Sequence, residues 1–330
     1  MASQPKYSII GPVWNEEGNL RQLYEQLHET LDSTGEAWEL ILINDGSTDR
    51  SLEIMMELHR QDERVKIVDF AKNFGQQIAF TAGLDHARGQ ANIMIDTDLQ
   101  DPPAVILELI AKWKKGYEVV YAVRAERKGE AWFKKTTAAL FYRLIQRITD
   151  VDIPLDTGDF RLLDRKVVDV VNRMREQHRF LRGMASWVGF RQAGVEYVRE
   201  ERFSGATGYP LRTMLKLAIT AITGFSFFPL QIATFVGFIV AGLSAVAAML
   251  VIYARLFLES QAFLGQATTL VAVLFLGGVQ LITLGIIGEY LGRIYDEVRG
   301  RPLYIVNETY GFENNVSTPD IAAKQEVETP

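Results

Sequence analysis

Short apolar runs and amphipathic stretches alternate through the first third of the chain. YSIIGPVW (7–14), WELILIND (38–45), VKIVDFA (65–71), ANIMIDT (91–97) and YEVVYAV (117–123) are β-rich runs of strand length. Between them, residues 19–34, 49–61, 75–87 and 103–115 carry apolar residues at three-to-four spacing and are expected to be helices. This alternation predicts an α/β fold with a Rossmann-like, mostly parallel sheet, in which ligands gather at the carboxyl ends of the strands.

The pattern then changes twice. Residues 126–222 mix basic and amphipathic stretches. KKTTAALFYRLIQRI (134–148) sets Leu140, Phe141, Leu144, Ile145 and Ile148 on one face, flanked by Lys134, Lys135, Arg143 and Arg147. YPLRTMLKLAITAI (209–222) repeats the theme with Arg212 and Lys216, and both read as interfacial helices beside a membrane. Phe225–Ala254 then runs 30 residues without a charge and Ser260–Gly288 another 29. Each exceeds the roughly 20 residues needed to cross a bilayer. Only Arg255 and Glu259 lie between the two runs, whereas Arg202, Arg212 and Lys216 precede them and Arg293, Arg299 and Arg301 follow. That asymmetry predicts a protein of the inner (plasma) membrane with two spans, its termini and α/β domain cytoplasmic. The expected segments are 1–125 (ligand-binding core), 126–222 (juxtamembrane), 223–290 (membrane hairpin) and 291–330 (cytoplasmic segment with a disordered tail). Gly277 and Gly278 offer a close-packing surface to a neighbouring helix, which leaves a homo-oligomer open.

Composition narrows the chemistry. The chain has 330 residues and no cysteine, which excludes disulfides, thiolate nucleophiles and Cys-ligated zinc. Its four histidines, His28, His59, His86 and His178, have no metal-ligand spacing, and a net charge of −6 gives no reason to expect nucleic acid. The first 20 residues are strand-like and include Asn15, Glu16 and Glu17, unlike a signal peptide.

Polar clusters fall at the predicted strand ends: Asn15-Glu16-Glu17, Asp45-Gly46-Ser47, Lys72-Asn73-Phe74-Gly75 and Asp96-Thr97-Asp98. Any one of them also suits a turn or a helix cap. Asp96 and Asp98 can reach one hard cation where the strand turns into a loop, with Gln100 or water completing its shell. An oxygen-only donor set favours Mg²⁺ or Mn²⁺, held jointly with substrate phosphates. Asp101, just before Pro102-Pro103, is expected to start the next helix.

Together, VWNEEGNL, LILINDGSTDRS, KNFGQ and IDTDLQDPP resemble glycosyltransferase family 2, the GT-A nucleotide-sugar transferases. GEYLGRIYDEVRGRPLYIV (288–306), after two spans, resembles the polyprenyl-phosphate branch, which includes dolichyl-phosphate mannose synthase-like and GtrB-like enzymes. The resemblance implies a nucleoside pocket lined by Pro12, Asn15 and Glu16, with Asp45 accepting from the base and Lys72 and Gly75 closing it. It implies a metal on Asp96, Asp98 and Gln100, phosphate-binding arginines at Arg124 and Arg202, and a catalytic carboxylate at Asp159 in LDTGDFRLLDR (155–165). Lys134, Lys135, Arg143, Arg212 and Lys216 would then face the acceptor phosphate and the anionic bilayer. The implied reaction is inverting transfer from UDP-glucose to undecaprenyl phosphate. GDP-mannose and UDP-4-deoxy-4-formamido-arabinose remain alternative donors. A lipid phosphate is already an anion, with a second pKa of about 6, so Asp159 is expected to position the acceptor or a neighbouring arginine more than to remove a proton. A processive synthase would carry a Gln-x-x-Arg-Trp motif and more spans; a non-catalytic sugar-nucleotide sensor is the remaining alternative.

Overall fold

The computed structural model describes residues 4–124, 157–198, 226, 228–257 and 266–312. The alternating pattern is realised in order. β1 (Tyr7–Val13) and β2 (Trp38–Asn44) are buried at every position, as strands covered on both faces must be. β3 (Val65–Phe70) and β4 (Ala91–Met94) complete the parallel half, connected by α1 (Leu20–Asp32), α2 (Ser51–Gln61) and α3 (Gln76–His86). In α1, Leu20, Leu23, Leu27 and Leu31 recur every three or four residues and form its buried face. They share one core with Tyr7, Ile9, Leu40 and Leu42. On the alternate strand positions Ile10 and Ile43 lie against Gly83 of α3, so period-two alternation divides the strand residues between two helical layers.

With β5 (Val119–Arg124), β6 (Thr157–Asp164), β7 (Gln192–Tyr197) and β8 (Val306–Tyr310), the sheet has eight strands among the described residues, in the order β7-β5-β6-β4-β1-β2-β3-β8. From β1 the chain steps outward to β2 and β3, then returns through α3 to place β4 on the other side of β1. The carboxyl ends of β1 and β4 therefore flank a topological switch point, where open α/β sheets bind ligands.

Of the remaining strands, the run 117–123 announced the one at 119–124; the others come from parts of the chain whose pattern did not announce strands. After α4 (Val105–Trp113), β5 (Val119–Arg124) pairs antiparallel with β6 (Thr157–Asp164), which also pairs antiparallel with β4. α5 (Arg165–Arg173), capped by the Asp164 carboxylate accepting from Lys166 N at 3.1 Å, leads to α6 (Leu181–Trp187) and to β7 (Gln192–Tyr197), parallel to β5. One sheet thus crosses the expected boundary at residue 125.

α7 (Phe228–Phe257) and α8 (Gln266–Val298) form a separate compact unit. Two stretches are long and apolar enough to span a bilayer: Phe228–Ala247, with mean hydropathy 2.0, and Phe275–Val298, with 1.4. Phe235, Phe238, Leu281 and Ile282 are two-thirds or more exposed, the reverse of a soluble core helix. Tyr290 Oη in α8 donates to the carbonyl of Ser226, two residues before α7, at 2.7 Å. α8 passes the expected boundary at 290 without a break, because Glu289 and Arg293 pair at i,i+4 as it leaves its apolar stretch.

Beyond α8 the chain belongs again to the sheet unit. β8 (Val306–Tyr310) lies antiparallel to β3, Asn307 Nδ2 donates to Asp69 Oδ2 at 2.8 Å, and Tyr304 stacks on Phe70 with ring centroids 5.2 Å apart. Tyr304 Oη donates to Asp85 Oδ2 at 2.8 Å.

Candidate active site

The loops at the carboxyl ends of β1 and β2 interlock. Asn15 N donates to Ser47 Oγ at 3.1 Å, and Asn15 Oδ1 accepts from Thr48 N at 2.8 Å. Glu16 N donates to Ser51 Oγ at 2.9 Å, and the Glu16 carboxylate accepts from Asn19. Pro12 closes the base of this crevice, its carbonyl accepting from Thr97 Oγ1 at 2.7 Å across from β4. Among the described residues only Asn15 (φ 56°) and Leu99 (φ 60°) are non-glycines with positive φ, and both sit in loops at this edge. Such backbone costs about 1–3 kcal/mol and concentrates at functional sites.

Asp45, nearly fully buried at the end of β2, accepts from Phe74 N at 2.6 Å and from Gly75 N at 3.0 Å. Burial raises its pKa, and those amides oppose the rise. Asp45 therefore anchors the loop that carries exposed Lys72, whose ammonium lies 5.0 Å from the Phe74 ring centroid.

Gly75 precedes α3, and the next two residues reach the other half of the site. Gln76 Nε2 donates to Asp96 Oδ1 at 2.6 Å, and Gln77 Nε2 donates to Asp159 Oδ2 at 3.0 Å. One helix start thus links the β2, β4 and β6 carboxylates. Sequence reasoning assigned no role to either glutamine; the available signal was a pair of polar residues directly after a glycine at a predicted strand end.

Asp96 and Asp98 are half-buried in the loop after β4, with Gln100 N donating to Asp98 Oδ1 at 3.1 Å. Desolvation, with Asp101, Asp159 and Asp98 nearby, pushes Asp96 up to about 8, while Arg182 pulls the other way. Among the described residues no three carboxylates or imidazoles gather tightly enough to enclose an ion by themselves. Two carboxylates with excess negative charge fit a hard divalent cation that takes its remaining oxygens from a diphosphate and water.

Asp159 is buried on β6, where Arg182 Nε and Nη2 donate to its two oxygens at 2.7 and 3.1 Å. Burial alone would raise its pKa, but Arg182, Arg161 and Gln77 outweigh that and hold it below the usual carboxylate range. Arg182 Nη1 also donates to Thr157 O at 3.0 Å. Arg161, buried in the same strand, donates to Gly158 O at 3.0 Å and falls to about 10 through burial, with Asp159 opposing and Arg182 adding to the fall. Arg182 and Arg161 were not singled out from sequence: a helical arginine and a strand arginine carry no local sign of a shared carboxylate.

Arg202, Lys134, Lys135, Arg143, Arg212 and Lys216 lie outside the described residues, as do the expected interfacial helices. One expectation is corrected. Asp101 does not start α4, whose N-cap position is Ala104; it is fully buried and accepts from Tyr197 Oη at 2.5 Å. His59 and His86 contact backbone through Nδ1, at Val65 O and Ala82 O, and the His86 ring also packs against Phe312.

Residues 8–171 match the profile of Glycosyl transferase family 2. The chain is 54% identical to the uncharacterized glycosyltransferase YkcC of Bacillus subtilis, over 95% of this chain and 97% of that one. The chain belongs to glycosyltransferase family 2. This family 2 glycosyltransferase is also 41% identical to the SfII prophage-derived bactoprenol glucosyl transferase of Shigella flexneri, over 92% of its own length and 98% of the relative's. A solved structure of glucosyl-3-phosphoglycerate synthase from Mycobacterium tuberculosis, in complex with Mn²⁺, UDP-glucose and phosphoglyceric acid, is 19% identical, covering 66% of this chain and 78% of that one, with a TM-score of 0.44.

In this glycosyltransferase Gly46 adopts φ +67°, and a Cβ there would fall 2.6 Å from Asn73 N and 2.7 Å from the Lys72 carbonyl carbon. The two loops can approach only because residue 46 has no side chain. Gly46→Ala is expected to push the Lys72–Gly75 loop outward and raise the donor KM roughly tenfold, as about 1–2 kcal/mol of added strain implies. Steady-state kinetics with varied nucleotide sugar checks this; an unchanged KM would show that the loop does not contribute to donor binding.

Proposed function

We propose that this chain transfers glucose from UDP-glucose to a polyprenyl phosphate, undecaprenyl phosphate by preference, at the cytoplasmic face of the plasma membrane. The observation that carries the reading is end-to-end similarity, both apolar helices included, to a relative named for bactoprenol glucosyl transfer. The acidic pair Asp96/Asp98 at the switch point supports it.

In this reading residues 1–125 hold the donor. Pro12, Asn15 and Glu16 line the nucleoside side, Asp45 holds the Lys72–Gly75 loop over it, and Arg124 binds the diphosphate. Asp96 and Asp98, with Gln100, would hold Mg²⁺ or Mn²⁺, which when bound offsets charge on the diphosphate. Arg202 adds a second cation to the departing nucleoside diphosphate. The acceptor's phosphate oxygen attacks the anomeric carbon from the face opposite the diphosphate. The C–O bond electrons leave with the nucleoside diphosphate, and the anomeric configuration inverts. Because that acceptor oxygen is already anionic, the Asp159 carboxylate holds Arg182 toward the acceptor phosphate and takes no proton.

The membrane unit keeps the active site where the lipid head group is. Lys134, Lys135, Arg143, Arg212 and Lys216 would draw anionic head groups to the 126–222 segment, each contributing about 1 kcal/mol. The excess of basic residues outside the interhelical loop supports cytoplasmic termini.

Purified enzyme given undecaprenyl phosphate and, separately, UDP-glucose, GDP-mannose and UDP-4-deoxy-4-formamido-arabinose is expected to form one lipid product, from UDP-glucose, with one hexose per lipid by mass spectrometry. A preferred second donor would overturn the sugar assignment. A polymer or no lipid product would overturn the reaction.

A further inference from the structure

We propose that Asp101 and Tyr197 form a positioning relay for Arg124, so that the third aspartate of IDTDLQDPP acts on the donor diphosphate through a phenol and an arginine. The proposal rests on Arg124 being a diphosphate ligand.

Three elements meet here. Asp101 lies in the loop between β4 and α4, Arg124 ends β5, and Tyr197 ends β7. β5 and β7 run parallel, and their register pairs Arg124 with Tyr197 directly. That register brings the phenol and the guanidinium together, and the two groups interact directly. Tyr197 spends its proton on Asp101 Oδ1, at 2.5 Å, so its oxygen lone pairs are left for the guanidinium. Polarisation by the carboxylate makes that oxygen a better acceptor. Burial and Asp101 both hold the phenol pKa well above its ordinary value, so Tyr197 keeps its proton across the physiological range.

The same contacts place Arg124 beside the reacting groups. Its Nη2 lies 2.9 Å from the point where a Cβ on residue 158 would stand, so Gly158 leaves the room that the guanidinium occupies. The next residue is Asp159, which holds Arg182. Arg124 is thus laid across β6 one residue from the Asp159–Arg182 pair. A buried aspartate is a costly way to fill core volume. The Tyr197 ring already packs edge-on against Phe160, centroids 5.9 Å apart, and would do so without its hydroxyl. The hydroxyl and the carboxylate are accounted for by the arginine they hold.

Tyr197→Phe keeps the ring and removes only the bridge, so the full-length enzyme in detergent or nanodiscs allows a clean cycle with Arg124→Ala. Tyr197→Phe is expected to raise the KM for the nucleotide sugar about tenfold, the loss of one hydrogen bond to a charged group. The KM for polyprenyl phosphate should stay near wild type, while the melting temperature should fall by a few degrees because buried Asp101 loses its phenol partner. In the double variant the loss should not exceed that of Arg124→Ala alone. Multiplying losses, or a wild-type donor KM in Tyr197→Phe, overturn the relay while leaving Arg124 as a ligand. An unaffected Arg124→Ala removes both the ligand assignment and the relay. If Tyr197→Phe does not fold, Asp101→Asn in the same cycle decides by the same outcomes.

Discussion

Replacing Asp96 and Asp98 together by asparagine removes turnover at every Mg²⁺ or Mn²⁺ concentration, with an expected loss of at least about a thousandfold, because the charge opposite the donor diphosphate is gone. The fold should survive: the two side chains are half-buried in a loop, and the core beneath is apolar. Activity that returns at high metal concentration would sink the assignment. A second consequence concerns pH. Without a cation Asp96 titrates near 8, above an unfolded value of 3.8. Between those values the folded protein holds a proton that the unfolded chain has released, so stability in chelator should fall as pH rises through this window. A divalent cation binds the deprotonated carboxylate, so saturating metal should flatten the trend, with an affinity that weakens by roughly tenfold per pH unit below about 8. Thermal melts at pH 5, 7 and 9, with chelator and with Mg²⁺, test the sign. A metal-free melting temperature that rises across that range would contradict the crowding of carboxylates around Asp96.

The second large effect is expected at the Asp159–Arg182 pair. Arg182→Ala removes both charge-assisted bonds to a buried carboxylate and should lower kcat/KM for polyprenyl phosphate by about a hundredfold or more, the range for removing one preorganised electrostatic donor from a reaction site. Asp159→Asn should lower turnover by freeing Arg182, while the pH–rate profile keeps its shape. The sign follows from the depressed pKa of Asp159: the group is ionised throughout the working range, so its titration cannot control the rate there. For the same reason the stability it contributes is present above the unfolded value of 3.8 and lost only as pH falls through the lower folded value. A rate-controlling ionisation in wild type that vanishes in Asp159→Asn would instead make Asp159 a general base. Arg182→Ala also predicts a diagnostic change, because without the guanidinium burial dominates and Asp159 moves upward. A new ionisation should then enter the pH profile of that variant.

Much of this site was legible before folding. Asn15, Asp45, Gly75 and Asp96 stood at strand ends whose apolar runs and flanking turn residues are local signals, and local signals survive in a one-dimensional pattern. The two charge-free runs were equally legible, because crossing a bilayer needs only length and apolarity. The strands β6 and β7 were not: TGDFRLLD carries charged residues at buried positions, and Asp159 and Arg161 find their partners in Arg182, Gln77 and neighbouring backbone. β8 was missed because its pairing partner, β3, lies more than two hundred residues earlier in the chain.

Asp101 shows where the division falls. By itself the sequence determined an α/β sheet with acidic and polar clusters on one edge and, later in the chain, two apolar helices, since periodicity and turn chemistry act between near neighbours. Only the tertiary structure decided what those charges do. It turned a presumed helix start into the buried partner of Tyr197, set Arg182 on Asp159, and brought Gln76 and Gln77 to two carboxylates. A buried charge takes its meaning from the partner that offsets its desolvation, and that partner is chosen by strand register and helix packing, which no short window of sequence contains.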